Sequence, residues 1–231
     1  MMAATLTGAI ASSSKAFAQA TPAATGETKM SGAHYRPDVR FGLGGVAIGN
    51  GFRVSPDEEA EQALAASWEA GVRYFDTSPW YGLGLSERRF GHFLDGRKRE
   101  DFVISTKIGR LLVPDPQFKH GMWKGDLGFN YRYDYTAEGT RRSIEDSLQR
   151  LGLSSIDIVF VHDLSPDNGD MKDKWPDFFD IAAKGAMPEL TRMRDEGLSG
   201  GALVVGISMQ TQAGRAASFS ITDVLCKPIC T

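Results

Sequence analysis

The sequence predicts an α/β protein built on a parallel sheet. Short apolar runs with strand character alternate with helix-periodic segments from Arg40 onward. Gly71, Gly152 and Gly197 stand where helices must stop, and polar residues stand just past the strand-like runs. Repeated strand-then-helix order calls for crossovers that bring the strands side by side and parallel. A chain of 231 residues suffices for one large domain or two small ones. Periodicity alone leaves two architectures open. A closed barrel of eight units takes about 250 residues, whereas an open doubly wound sheet fits the length more easily.

The elements follow in order. Residues 41–47 form a short apolar run holding Gly42, Gly44 and Gly45. Pro56 and the acids behind it open a helix through Glu69, with Ser55 as N-cap; Ala60, Leu64 and Trp68 share one face. Gly71 ends it. A strand over 72–75 leads to a helix over 86–94, and a strand over 102–106 leads through a long loop to a helix over 136–151. There Ile144, Leu148 and Leu151 recur at helical spacing and Gly152 closes the element. A strand over 156–161 precedes a helical stretch from about Asp180, broken near Gly185 and resumed at Pro188. A fifth strand falls at 202–207.

Composition excludes several classes. A formal net charge of −3 gives no global attraction for nucleic acid or anionic lipid. The basic cluster Arg97-Lys98-Arg99, flanked by Asp95 and Glu100, reads as a solvated loop. Cys226 and Cys230 are the only cysteines, too few for a disulfide framework, and no zinc-type set of Cys and His is present. No apolar run is long enough to span a membrane. Residues 1–33 form a leader rich in Ala, Thr and Ser, with Ala18-Gln19-Ala20 resembling a cleavage site. It reads as a weak export signal or a disordered segment, so the expected location is cytoplasmic or periplasmic.

Four residues carry the chemistry. Asp76 and Tyr81 follow the run Val72-Arg73-Tyr74-Phe75, Lys107 follows the third strand, and His162 follows the fourth. The carboxyl ends of parallel strands open on one face, where distant residues converge. A phenol has a pKa near 10, and a neighbouring ammonium lowers it, a part suited to Lys107. Asp76 would hold Lys107 by a charge-assisted hydrogen bond, and His162 would donate to or orient a substrate oxygen. Such a set can protonate a carbonyl oxygen while hydride reaches its carbon, or run in reverse. Each residue alone has a structural explanation as a cap, packing group or surface charge; their shared placement favours chemistry. The glycines 42, 44 and 45 miss the dinucleotide fingerprint, because the third glycine is misplaced and the next helix starts too late. They read as close backbone approach beneath the site.

Phe75-Asp76-Thr77-Ser78-Pro79-Trp80-Tyr81-Gly82 followed by Ser86-Glu87 resembles the signature of the aldo-keto reductases. Ser105-Thr106-Lys107 is similar to that family's lysine strand, and Asp157-Ile158-Val159-Phe160-Val161-His162 to its histidine strand. Tyr81-Gly82-Leu83-Gly84-Leu85-Ser86-Glu87, Lys107-Ile108-Gly109-Arg110-Leu111-Leu112 and the segment 143–152 look like the aldose and pyridoxal dehydrogenase branch. The resemblance covers about Arg40 to Leu198. It implies a (β/α)8 barrel, here a partial TIM barrel of about five strand–helix units, binding NADP or NAD. It also implies a small carbonyl or sugar substrate, with oligomeric state left open. By the same resemblance Asp76, Tyr81, Lys107 and His162 form a catalytic tetrad with Tyr81 as acid or base. Trp80 and Trp123 would line the substrate pocket, and Gly44, Gly45 and Ser208 would lie at the cofactor. The aromatic-rich loop 109–135 would form a lid or, failing that, an exposed loop.

The resemblance fades past Leu198. Ser208 matches the serine of the family's amide-binding Ser-Asn pair, but Met209 stands where asparagine is expected. Residues 199–231 are therefore expected to be a divergent tail, from truncation or a reading-frame change near Ser199. A barrel short of about three of its eight strands would expose sheet edges and weaken cofactor binding. Two other readings follow: a non-catalytic fragment, or a module holding sugars on its aromatic loop.

Overall fold

The computed structural model describes residues 41–196 and the backbone of residues 204–208. The expected leader, Cys226, Cys230 and the tail apart from that strand lie outside the described residues. In chain order the elements are β1 (Leu43–Gly44), α1 (Asp57–Glu69), β2 (Tyr74–Asp76), α2 (Leu85–Leu94), β3 (Val103–Ile108), β4 (Arg110–Pro114) and β5 (Phe129–Tyr133). Then come α3 (Ala137–Leu151), β6 (Ile158–His162), α4 (Trp175–Lys184), α5 (Ala186–Asp195) and β7 (Val204–Ser208).

The main sheet runs β1-β2-β3-β6-β7 with every neighbouring pair parallel. Its strands succeed one another in chain order, whereas a doubly wound sheet reverses direction at a switch point. The open alternative is thereby set aside: the sheet is an arc of a barrel. Register pairs Phe75 with Ile104, Lys107 with Phe160 and His162 with Ser208, so the carboxyl ends stay level.

The apolar runs of β2, β3 and β6 supply the core, where Phe75, Ile104, Ile108, Val159 and Val161 are buried with Phe90 of α2. Trp68 of α1 stacks on Phe75 with ring centroids 6.3 Å apart, which seats that helix on β2. Two polar anchors tie the helical layer to the strands. Glu87 of α2 receives Thr106 Oγ1 at 2.7 Å and Arg150 Nε of α3 at 2.5 Å. At the other end of the sheet, Asp157 Oδ2 accepts from Ile104 N–H at 2.8 Å and from Arg99 at 2.7 Å. Arg99 is thus engaged rather than freely solvated, and Arg97 lies over the rings of Phe93 and Trp68.

Several elements differ from expectation. Ser55 does not cap α1: Pro56 holds the N-cap position in an extended conformation, no side chain caps there, and the Ser55 amide donates to Asn50 Oδ1. The acids Asp57, Glu58 and Glu59 fill the first turn and offset the helix dipole instead. Helix α4 begins at Trp175, with Pro176 in its first turn, earlier than the predicted Asp180. The expected loop 109–135 contains a hairpin, because β4 and β5 pair antiparallel from Arg110–Tyr133 to Pro114–Phe129. Among the described residues no helix is long and apolar enough to cross a membrane.

Candidate active site

The carboxyl ends of β2, β3 and β6 bring the four predicted residues together. Lys107, the fifth residue of β3, is buried and donates to both Asp76 oxygens, at 2.8 and 2.7 Å, and to the Thr77 carbonyl at 2.9 Å. Ser105 Oγ donates to Asp76 Oδ1 at 2.6 Å, so the carboxylate is held from two sides. The Lys107 ammonium lies 4.6 Å from the centroid of the Tyr81 ring, and the His162 ring lies 5.7 Å from it, edge to face. His162 Nδ1 meets Ser78 Oγ at 3.0 Å, and that hydroxyl also accepts the Trp80 N–H at 3.1 Å. The Ser78 bond fixes the orientation of the imidazole, and a hydroxyl with one proton and two lone pairs suits either tautomer of the ring.

Burial sets the charges. It drives the His162 pKa well below the ordinary value of 6.5, helped by the cations Arg110 and Lys107, so the ring is neutral at pH 7. Burial also lowers the Lys107 ammonium, against which Asp76 works to keep it charged. The expected lowering of the Tyr81 phenol is not what the structure shows. Burial raises it most, the Asp76 and Asp163 carboxylates add to the rise, and Arg110 works against them. Tyr81 therefore stands as a protonated donor.

The residues around the tetrad sort as follows. Trp80 and Trp123 are buried, with ring centroids 5.4 Å apart, and Trp123 also packs on Tyr81 at 5.9 Å. With Phe118, Phe129 and Tyr131 they form a second apolar cluster under the hairpin, so the aromatics of 109–135 are packed and the exposed-loop alternative fails. Gly45 approaches closely: its N–H donates to the Asp76 carbonyl at 2.7 Å, its carbonyl accepts Ser86 Oγ, and a Cβ would run into Ser86 and Phe90. Gly44 pairs with Asp76 in register, but nothing crowds the place of its Cβ, so close approach does not explain it. Ser208 is level with His162 on β7, and its side chain lies outside the described residues.

Sequence reasoning passed over Ser78, Ser105, Arg110 and Asp163. Arg110, three residues past Lys107, donates to Asp163 Oδ2 at 3.2 Å and to Tyr133 OH at 3.3 Å. Asp163 directly follows His162, whose Nε2 lies 3.4 Å from Asp163 Oδ2. The signal was proximity in the chain, since each stands within three residues of a tetrad residue near a strand end.

Residues 40–219 match the model of the Aldo/keto reductase family, a match that runs past Ser199. The chain is 42% identical over 164 residues to D-threo-aldose 1-dehydrogenase of Pseudomonas sp, covering 68% of this chain and 47% of that protein. It is 38% identical over 135 residues to pyridoxal 4-dehydrogenase of Microbacterium luteolum, covering 54% and 39%. The solved glycerol dehydrogenase of Gluconobacter oxydans superposes with a TM-score of 0.51 at 28% identity, over 74% of this chain and 45% of that one. The chain spans about half the length of the curated relatives it matches. A barrel arc that gathers this Asp, Tyr, Lys and His set, together with a match over most of its length, makes this chain a member of the aldo/keto reductase family.

Proposed function

We propose that the chain transfers hydride between a nicotinamide cofactor, NADP or NAD, and the carbonyl or alcohol carbon of a small substrate such as an aldose. One observation carries this reading: Lys107, bound by both Asp76 oxygens, and neutral His162 flank the same Tyr81 ring. The donor set suits such a cofactor. An ion pair without net charge, a protonated phenol and a neutral imidazole can pass a proton to a carbonyl oxygen but hold no hydride of their own. The nicotinamide, when bound, supplies or accepts the hydride.

The chain's own residues do the rest. Tyr81 gives its phenolic proton to the oxygen of the carbonyl being reduced. His162 donates from Nε2 to that oxygen and orients it, and its neutrality keeps it from competing as an acid. Lys107 steadies the phenolate left behind, at the cost of a partly shared bond to Asp76. In the oxidative direction the same atoms take the proton back. Ser208, on the strand beside His162, and Gly44, level with Asp76, are the positions proposed to face the cofactor. The similarity to D-threo-aldose 1-dehydrogenase and pyridoxal 4-dehydrogenase favours sugars and related aldehydes as substrates. The alternatives of a non-catalytic fragment and a sugar-holding module gain no support from these relatives.

Replacement of Tyr81 by Phe tests the reading. Loss of the acid should cut aldehyde reduction by about 100- to 10,000-fold, while NADPH binding followed by nicotinamide fluorescence stays within about twofold. Turnover at the wild-type rate in the Tyr81→Phe chain would remove Tyr81 from the chemistry.

A further inference from the structure

Beside the tetrad lies a polar cleft of about 200 Å³ whose lining includes Trp80, Arg110, Asp163, Ser165, Asn168 and Asp170. Arg110 is buried to 3% exposure, yet its Nε has no hydrogen-bond partner among the described residues, and neither does Asp163 Oδ1. Buried donors and acceptors left unpaired are costly, and they recur where a ligand completes the set. Asp163 pays a second cost, because its φ of 46° lies in the left-handed region. That backbone is held in place by two bonds to its carbonyl, from Ser165 N–H and Asn168 Nδ2, both at 3.0 Å. Strain kept up by several bonds, one residue past His162, marks a group whose placement matters.

The geometry points to the Arg110–Asp163 pair as the site that recognises substrate hydroxyls. Through it the protein would select neutral polyhydroxylated carbonyl compounds over phosphorylated or carboxylated ones. The assignment rests on the oxidoreductase reading above and refines its substrate class. A hydroxyl both donates and accepts, so one sugar hydroxyl, or a neighbouring pair, can satisfy Asp163 Oδ1 and Arg110 Nε together. Trp80, with the Arg110 guanidinium 5.0 Å from its ring, adds an apolar face for the C–H side of a sugar. Charge supplies the selection: Asp163, Asp167 and Asp170 face the cleft against one guanidinium, so a phosphate or carboxylate meets net repulsion. Arg110 is already drawn toward Asp163, and among the described residues lining the cleft no second cation joins it to form an anion clamp.

Tryptophan fluorescence titration of the full chain with aldopentoses and aldohexoses, their terminal phosphates and the matching uronic acids tests this directly. At least one neutral sugar should bind at least tenfold more tightly than its phosphate and its uronic acid. Asp163→Asn, checked for folding by circular dichroism, should weaken that sugar about tenfold and narrow the gap to the phosphate. Equal or tighter binding of the charged sugars, no binding of any neutral sugar, or unchanged affinity in a folded Asp163→Asn chain would each overturn the assignment. The selectivity of the wild-type chain decides the matter even if the variant does not fold. Reduction of butanal with NADPH, which has no hydroxyl to recognise, scores the oxidoreductase reading separately. Butanal turnover without sugar selectivity removes the cleft assignment alone, whereas selective sugar binding with no butanal reduction and no oxidation of that same sugar by NADP or NAD supports the cleft and removes the hydride chemistry.

Discussion

Tyr81 and His162 titrate in opposite directions for one reason, burial, which penalises whichever form is charged. The phenol is pushed above its ordinary value of 10 and the imidazole below 6.5, so both stay in their neutral, proton-donating forms across the interval between. For carbonyl reduction this predicts a kcat/KM that is flat from pH 6.5 to 10, read from initial rates at limiting substrate. A single-proton decline centred near pH 7 to 8 would contradict the neutral-donor assignment. Oxidation needs the phenolate, so its rate should climb with pH over the same interval. The reversal at Tyr81 also shows the limit of reading a pKa from neighbours in sequence. Lys107 and its bond to Asp76 were both legible there, but the burial of the phenol that raises its pKa was not.

At the scale of elements, the strand ends are set by a few buried bonds. Asp157, just ahead of β6, accepts the Ile104 amide of β3 and ties down Arg99, bridging the two strands at their amino ends. Asp157→Ala leaves that amide unpaired and should cost about 1–3 kcal/mol, seen as a lower urea midpoint. At the carboxyl ends, Gly109 turns the chain from β3 into β4 with a φ of 111°, and a Cβ there would enter the Tyr135 ring. That ring matters because Tyr135 OH donates to the His162 carbonyl at 3.0 Å. Gly109→Ala should cost about 1–3 kcal/mol from backbone strain alone and should raise KM through the displaced hairpin. An unchanged melting temperature in this variant would show that the turn has slack. The hairpin itself was legible in part: Phe129, Tyr131 and Tyr133 alternate with period two. Its other strand lies across a polar stretch with no tight-turn signal, which is why 109–135 reads as a loop until the pairing is seen.

Across the whole molecule, the buried neutral His162 links stability to acid. Its folded pKa is depressed, so above 6.5 neither the folded nor the unfolded chain carries the proton. As pH falls below 6.5 the unfolded chain takes up a proton that the folded one resists, and stability drops by at most about 1.4 kcal/mol per pH unit. The melting temperature should therefore fall between pH 7.5 and 5.5, and His162→Gln should flatten that fall; an equal slope in both chains would assign acid lability elsewhere.

From sequence alone came the parallel α/β order, the order of the helices, and the four polar residues at successive strand ends, because period and strand-end placement are local properties of the chain. Tertiary structure decided the rest. The strand order chose barrel arc over doubly wound sheet, since neighbours in a sheet are fixed by long-range pairing. It also reversed the Tyr81 shift and joined Arg110 to Asp163 beside a cleft, because burial and the field of neighbouring carboxylates depend on what the fold places around each group.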